Sequence, residues 1–242
     1  MSDGPGLILL MGARIEHAIT SIQYFVPSVV HIITSTDYKS QHSRRLKTWA
    51  EKYGFRKGDV HAVEDLFKAT SVDSILSLFC KIADVENICE SEVRWHVGIT
   101  GGTMHMAATG VYASLLLGIF PFYVIRPPEG QTPMPNRDVL EFPSFSGLRC
   151  LMGIPTDDLV YLAEGKGKMQ ELFERMPEYI RPLHAIGLVK VEDDEWVMTP
   201  EGQHTLDFIG NSKSVQELLA RQAAAVDARE QDANDVVGQY IW

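Results

Sequence analysis

Cysteine is scarce in this sequence, and its few cysteines do not form a recognisable pattern. Cys80, Cys89 and Cys150 are the only ones in 242 residues, and they lack the paired spacing of a disulfide framework or a zinc site. We therefore expect reduced thiols in a cytoplasmic protein, with no bound metal. Residues 1–6 lack the basic and apolar segments of a secretory signal peptide, which agrees with a cytoplasmic location.

Charged side chains are absent between Arg94 and Arg126, and residues 107–125 alone are 19 uncharged positions. That length equals a membrane span. Two glycines and a proline interrupt the stretch, however, and its character changes midway. A buried helix over Met104–Leu117 followed by a buried strand over Phe120–Ile125 explains the pattern better. The sequence thus predicts no membrane association.

Several nucleotide-binding and catalytic signatures are also missing. There is no GxGxxG after the first strand, no GxxxxGK[ST] and no GxSxG. These absences leave a dinucleotide cofactor, P-loop ATP hydrolysis and a nucleophile elbow unsupported, and no cofactor is expected. The charge distribution disfavours non-specific binding of nucleic acid. The net charge of −10 resides mostly in residues 151–242, which carry 8 Lys/Arg against 17 Asp/Glu.

Strand and helix patterns alternate over residues 1–126. This alternation predicts an α/β fold, a Rossmann-like and mostly parallel sheet with helices on both faces. The predicted strands are Leu7–Met11, Val29–Thr34, Val60–Val63, Val93–Thr100 and Phe120–Ile125. The predicted helices are Ile15–Phe25, Ser43–Tyr53, Ser71–Ala83 and Met104–Leu117.

The pattern changes after residue 126. Residues 127–155 hold six of the twelve prolines and are interpreted as a linker with a possible edge strand at Val139–Phe142. Short helices, a two-stranded hairpin and a further helix capped by Thr199 predict a winged helix-turn-helix domain over residues 156–212. Residues 213–242 are expected to form a terminal helix and tail. A stripe at helical spacing consists of Val215, Leu218, Leu219, Gln222, Ala223 and Val226, of which Val215, Leu218, Leu219 and Val226 offer apolar surface that needs burial.

Two loops at predicted strand ends are candidates for ligand binding. Met11–Arg14 follows the first strand, and Thr100–Thr103 follows the fourth and opens a helix. Ligands of open α/β sheets bind at the carboxyl ends of the strands. Two glycines and two hydroxyls at a helix start offer backbone N–H groups and donors to a phosphate or another polar ligand. The alternative is a tight turn in which Thr103 merely caps the helix.

The string Thr100-Gly101-Gly102-Thr103-Met104-His105-Met106, in this sheet context, resembles the T-G-G-T-x-x-M motif of the CARF (CRISPR-associated Rossmann fold) family over about residues 5–126. The resemblance implies a homodimer that binds a cyclic oligoadenylate, here expected to be cyclic tetra-adenylate, as a sensor in type III antiviral signalling. A winged helix is a known partner domain in that family. Many members carry a lysine just after the G-G-T, where this sequence has Met104 and His105.

The resemblance also implies a set of contact residues. Arg14 would be the counter-ion of a phosphate, and Ser35 and Thr36 would contact a base or ribose. The full candidate set is Met11, Gly12, Ala13, Arg14, Ser35, Thr36, Thr100, Gly101, Gly102, Thr103, Met104 and His105.

Three outcomes of binding remain open at this point. The protein could be a sensor, a ring nuclease that opens its ligand without metal through Arg14 and His105, or a ligand-gated transcription regulator. His105 could equally be a packed residue of the helix start. The predicted wing tip, Glu192–Glu195, is four consecutive carboxylates, and the candidate recognition helix Glu178–Ile186 offers few cations. A protein partner or the second subunit is therefore favoured over DNA as the contact of this domain.

Overall fold

The computed structural model describes residues 4–64, 66–68, 70–89, 93–218 and 221. The chain divides into two compact units, the first ending at Ser144 and the second beginning at Phe145. The first unit thus extends past the predicted boundary at residue 126, because a strand within the proline-rich segment pairs with its sheet.

The first unit is a sheet covered by helices. In the described part of the chain the sheet has six strands in the order β3-β2-β1-β4-β5-β6, all parallel except the last. The strands are β1 Gly6–Met11, β2 Val29–Ser35, β3 Arg56–Val63, β4 Trp95–Gly98, β5 Phe120–Val124 and β6 Val139–Glu141. The helices are α1 Glu16–Phe25, α2 Thr36–Tyr53, α3 Ser71–Glu86, α4 Met104–Leu117 and α5 Pro135–Asp138. The predicted Rossmann-like α/β fold is confirmed.

The central strand β1 shows why this sequence forms a covered sheet. All six of its residues are buried, and alternate side chains contribute to two different cores. Ile8 and Leu10 pack in the core that contains residues of α3 and α4, whereas Leu7 and Leu9 pack in the core of α1 and α2. A strand buried on both faces is a continuous apolar run, and helices must cover both faces.

Two elements of the first unit begin a full turn of helix or several strand residues before their predicted starts. Helix α2 starts at Thr36 rather than Ser43, and β3 starts at Arg56 rather than Val60. In both cases the missed residues are mostly polar and exposed, so they carry no apolar period. Within residues 36–42 of α2, His42 differs from the others because its side chain is buried.

The second unit packs short helices on a small antiparallel sheet of order β7-β9-β8 in the described residues. Its core surrounds the fully buried Trp196. The strands are β7 Lys166–Lys168, β8 Val189–Glu192 and β9 Glu195–Met198. The helices are α6 Phe145–Met152, α7 Thr156–Leu162, α8 Met169–Arg175, α9 Pro177–Ala185 and α10 Pro200–Asn211. The winged-helix assignment stays a prediction.

The second unit contains the predicted capped helix and the beginning of the predicted terminal stripe. Thr199 accepts a hydrogen bond from the backbone N–H of Gly202 and so caps α10, as predicted. Val215 packs against the core of this unit, whereas Leu218 is 63% exposed. The remaining stripe positions Leu219, Gln222, Ala223 and Val226 lie outside the described residues.

The long uncharged stretch folds into α4 and β5, as predicted. Within the described ranges, no helix combines the length and the apolar character needed to cross a membrane.

Buried histidines make the stability of the first unit depend on pH. Burial lowers the pKa of five histidines below the ordinary value of 6.5: His17, His31, His42, His61 and His96. The unfolded chain therefore binds more protons than the folded one below about pH 6.5, and the free energy of unfolding falls as the pH falls.

We expect the urea midpoint to drop between pH 7.5 and pH 5.5. Each histidine held neutral contributes up to about 1.4 kcal/mol per pH unit below its unfolded pKa. Equal free energies of unfolding at the two pH values would contradict this prediction.

Candidate functional site

Strands β1 and β4 are neighbours at the point where the chain changes direction across the sheet. Helix α1 follows β1 and packs on one face, and α4 follows β4 and packs on the other. The two loops that leave these strands therefore diverge and open a crevice between them. This is the topological switch point, where open α/β sheets bind their ligands.

Glycine at position 101 lets the loop after β4 lie directly against β1 and α1. A Cβ on Gly12 would lie 3.5 Å from the Cα of Gly102, in ordinary contact. A Cβ on Gly101 would overlap the carbonyl oxygen of Leu10 and lie 2.5 Å from Nε2 of His17. Gly102 has φ +76°, which side-chain-bearing residues rarely adopt. The floor of the crevice is consequently bare backbone.

A groove of about 620 Å³ lies over this floor. It is formed by the loop after β1, the loop after β4 and the segment that leaves β5, all within the first unit. Its lining residues are Gly12, Ala13, Arg14, Glu16, His17, Thr100, Gly101, Gly102 and residues 123–133.

The two threonines of the second loop have structural partners. Thr100 Oγ1 accepts a hydrogen bond of 2.6 Å from the backbone N–H of Val124 and so ties the loop to β5. Thr103 caps α4 by accepting from the backbone N–H of Met106 at 3.4 Å. Its Oγ1 also lies 3.1 Å from Nδ1 of His105. Thr103 therefore caps α4, as the tight-turn alternative predicts.

Two buried histidines support the groove from below. His42 on α2 donates from Nε2 to the carbonyl oxygen of Gly12 at 2.9 Å. His17 on α1 is 9% exposed, and its Nε2 has no hydrogen-bond partner among the described residues. Burial lowers the pKa of His17, and the nearby Leu10 carbonyl opposes that shift. Near neutral pH, both rings shape the groove without adding positive charge.

The charges that line the groove are balanced. Arg14 and Arg126 are exposed cations, and Glu16 and Glu129 are carboxylates. Glu16 Oε2 accepts a 3.1 Å hydrogen bond from the N–H of Ile15, and backbone N–H groups hold the pKa of Glu16 below its usual range. The described residues contain no group of three or more potential ligands that could hold a metal ion.

The structure brings together half of the twelve predicted contact residues. Gly12, Ala13, Arg14, Thr100, Gly101 and Gly102 line the groove. Six others do not appear in its lining: Met11, Ser35, Thr36, Thr103, Met104 and His105.

The residues outside the lining have other positions in the fold. Met11 is buried in the core, and Ser35 is the last residue of β2. Thr36 begins α2 and donates to the carbonyl oxygen of Val63. Met104 is 89% exposed on α4. Arg14 and His105, the predicted catalytic pair, do not share the groove of one chain, and their catalytic role stays a prediction.

The segment 126–133 is the part of the groove that no sequence motif marked. It follows β5 at the same carboxyl edge as the two predicted loops. Its prolines indicated a linker, and no motif marked Arg126 or Glu129. Ligands of open α/β sheets bind at the carboxyl ends of the strands. This rule, applied to β5 as well as to β1 and β4, was the one available signal that the segment lines the groove.

The fold and groove together define a Rossmann-like α/β unit with a ligand crevice at its switch point. No family model matches the chain, and no curated protein matches its sequence. Solved structures do match. Csm6 of Enterococcus italicus, bound to cyclic hexa-2'-fluoro-hexa-dAMP, matches with 9% identity and a TM-score of 0.51 over 93% of this chain and 56% of that chain. This similarity shows the fold alone.

Two further structures have lower TM-scores. Protein VC1899 from Vibrio cholerae has 12% identity and a TM-score of 0.43, over 87% of this chain and 65% of that one. Can2 from Sulfobacillus thermosulfidooxidans, in complex with cyclic tetra-adenylate, has 13% identity and a TM-score of 0.39, over 85% and 61%. The chain thus spans less than two thirds of the length of each of these structures.

Proposed function

We propose that this chain is a homodimeric sensor that binds a cyclic oligoadenylate in the groove at the β1–β4 switch point and acts in type III CRISPR antiviral signalling. The carrying observation is the bare backbone floor of that groove, flanked by Arg14 and Arg126. Two facts support it: Thr100, Gly101 and Gly102 of the T-G-G-T-x-x-M motif line the groove, and the structurally similar Csm6 is bound to a cyclic adenylate analogue. Cyclic tetra-adenylate is the proposed ligand.

The groove suits a ligand that carries several phosphates and riboses. The glycine turn that leads into α4 exposes backbone to the groove, and the positive end of the α4 dipole next to it favours an anion there. The guanidinium groups of Arg14 and Arg126 add charge-assisted donors with a geometry that matches phosphate oxygens. A volume of about 620 Å³ lies in the range of small-molecule sites, and the groove is open on one side.

The surface of α4 supports the proposed homodimer. Helix α4 contains no Lys, Arg, Asp or Glu, and its outward face is apolar from one end to the other. Its exposed large side chains are Met104 at 89%, Tyr112 at 63%, Leu115 at 47% and Leu116 at 70%. We call these four residues the α4 stripe. Contiguous apolar surface of this kind marks an interface.

A second copy of the chain is the occupant that the position of the α4 stripe favours. The stripe begins at Met104, directly after the Thr100–Thr103 loop. Pairing of two α4 stripes about a two-fold axis would therefore bring two grooves side by side. A ring of repeated nucleotides has a matching symmetry, so each half of the ring would meet the same residues.

Calorimetric titration with cyclic tri-, tetra- and hexa-adenylate tests the proposal. We expect one ring per dimer, with cyclic tetra-adenylate tightest. Arg14→Ala is expected to weaken binding about tenfold or more, because it removes a charged donor. Lys47→Ala, which removes the same charge from an exposed site on α2, is the matched control and should bind as the wild type does. No heat with any of the three rings would disprove the proposal.

The role proposed for the second unit is to relay binding to a protein partner or to the second subunit. Its hairpin tip presents the exposed carboxylates of residues 192–195, and the exposed face of α9 offers Arg181 and His184. Pro182 lies within α9. An acidic tip repels a phosphate backbone, which argues against DNA as the contact.

A further inference from the structure

The segment that leaves β5 forms one wall of the groove and is anchored at both ends. The backbone N–H of Ile125 donates to the carbonyl oxygen of Asp138 at 2.7 Å. The carbonyl oxygen of Pro133 lies 3.3 Å from Oγ1 of Thr20 on α1, a hydroxyl whose proton is shared with the nearer carbonyl oxygen of Glu16 at 2.9 Å. The residues between these anchors are therefore held against the groove.

A hydrogen-bonded turn places Glu129 within this wall. The backbone N–H of Gln131 donates to the carbonyl oxygen of Pro128 at 3.2 Å, and Gly130 has φ +85°. These are the features of a type II turn with glycine at its third position and Glu129 at its second. Because Pro128 restricts the preceding backbone, the position of the Glu129 Cα atom is well defined.

Glu129 differs from the other carboxylate of the groove in having no partner. Glu16 is occupied by the backbone N–H of Ile15. Glu129 forms no hydrogen bond or ion pair with any residue that the structure describes, although it lines the groove. In a groove that holds phosphates, an unpaired carboxylate repels the ligand. Glu129 is exposed, so its carboxylate is open to a ligand, and an N–H or O–H donor on that ligand would turn the repulsion into a hydrogen bond.

We propose that Glu129 is a specificity-determining residue, which accepts a hydrogen bond from a neutral donor group of the bound ring nucleotide. This inference rests on the proposed function. A cyclic oligoadenylate carries two donors of this kind, the ribose 2′-hydroxyl and the 6-amino group of adenine. The hydrogen bond favours a ring that carries the matching donor. Repulsion between the carboxylate and the phosphates disfavours a ring that lacks this donor, so both effects discriminate between the two rings in the same sense.

A double-mutant cycle between protein and ligand tests this role. Binding of cyclic tetra-adenylate, its 2′-fluoro analogue and its inosine counterpart is measured calorimetrically for the wild type and for Glu129→Ala. The 2′-fluoro ring has no hydroxyl donor, and the inosine ring carries a carbonyl in place of the amino group. We expect the wild type to lose about tenfold or more in affinity for one analogue, as a charged hydrogen bond requires. Glu129→Ala should bind that analogue and the parent ring within about twofold of each other.

The comparison needs a matched control variant. Glu51→Ala makes the same charge change near the C-terminal end of α2 and should retain the wild-type preference. If Glu129→Ala keeps the full wild-type preference, or binds all three rings more tightly by one common factor, Glu129 does not read a donor and the inference is wrong. If the wild type binds no ring, the proposed function fails and the inference falls with it.

Discussion

Gly101→Ala is expected to abolish ligand binding and to lower the free energy of unfolding by about 1–3 kcal/mol or more. The new methyl group would overlap the carbonyl oxygen of Leu10 and crowd Nε2 of His17. Leu10 is a fully buried residue of the central strand, so its backbone cannot move away without disturbing the sheet. The loop after β4 must shift instead, and the groove floor moves with it.

Gly12→Ala is the matched control for this prediction. Its Cβ would meet Gly102 atoms at 3.5 Å, which is ordinary van der Waals contact. We expect its free energy of unfolding to stay within about 0.5 kcal/mol of the wild type. Urea denaturation of both variants and titration with cyclic tetra-adenylate give the comparison. A Gly101→Ala protein with wild-type stability and affinity would show that the close approach at the floor has no importance.

The fold was predictable where burial leaves a pattern in the sequence. Strand β1 is uncharged because all six of its residues are buried, whereas helix α4 is uncharged although only one of its faces packs in the core. The first turns of α2 were not predictable, because helices that begin on the surface carry no apolar period there. His42 in that segment is buried and donates to Gly12, a contact that depends on how the fold brings α2 beside the first loop.

The candidate site was predictable where glycine is required. The Thr100–Thr103 loop stands out because a close backbone approach and a helix cap leave distinctive residues. The wall that carries Arg126 and Glu129 was not predictable, since its residues are ordinary surface types and its position follows from strand order. Thr103 and His105 belong to the motif but do not line the groove of one chain, and Thr103 caps α4. Their contact with a ligand stays a prediction.

Leu116→Asp is expected to convert the proposed homodimer into a monomer. Leu116 is 70% exposed in the single chain and belongs to the α4 stripe. In a symmetric dimer the substitution places one carboxylate on each copy in the same apolar interface, without a basic partner on α4. Desolvation of such charges weakens association at least about 100-fold. The free energy of unfolding of the monomer should change little, because this position is largely solvated.

Sedimentation equilibrium at micromolar concentration measures the effect. Val85→Asp is the matched control, since Val85 is 65% exposed on α3, outside the stripe, and the change adds the same charge. We expect Val85→Asp to sediment as the wild-type dimer. Leu116→Asp should also bind cyclic oligoadenylate more weakly, because a ring that spans two grooves loses half of its contacts when the subunits separate. A Leu116→Asp protein that remains a dimer of wild-type affinity would show that α4 does not form the interface.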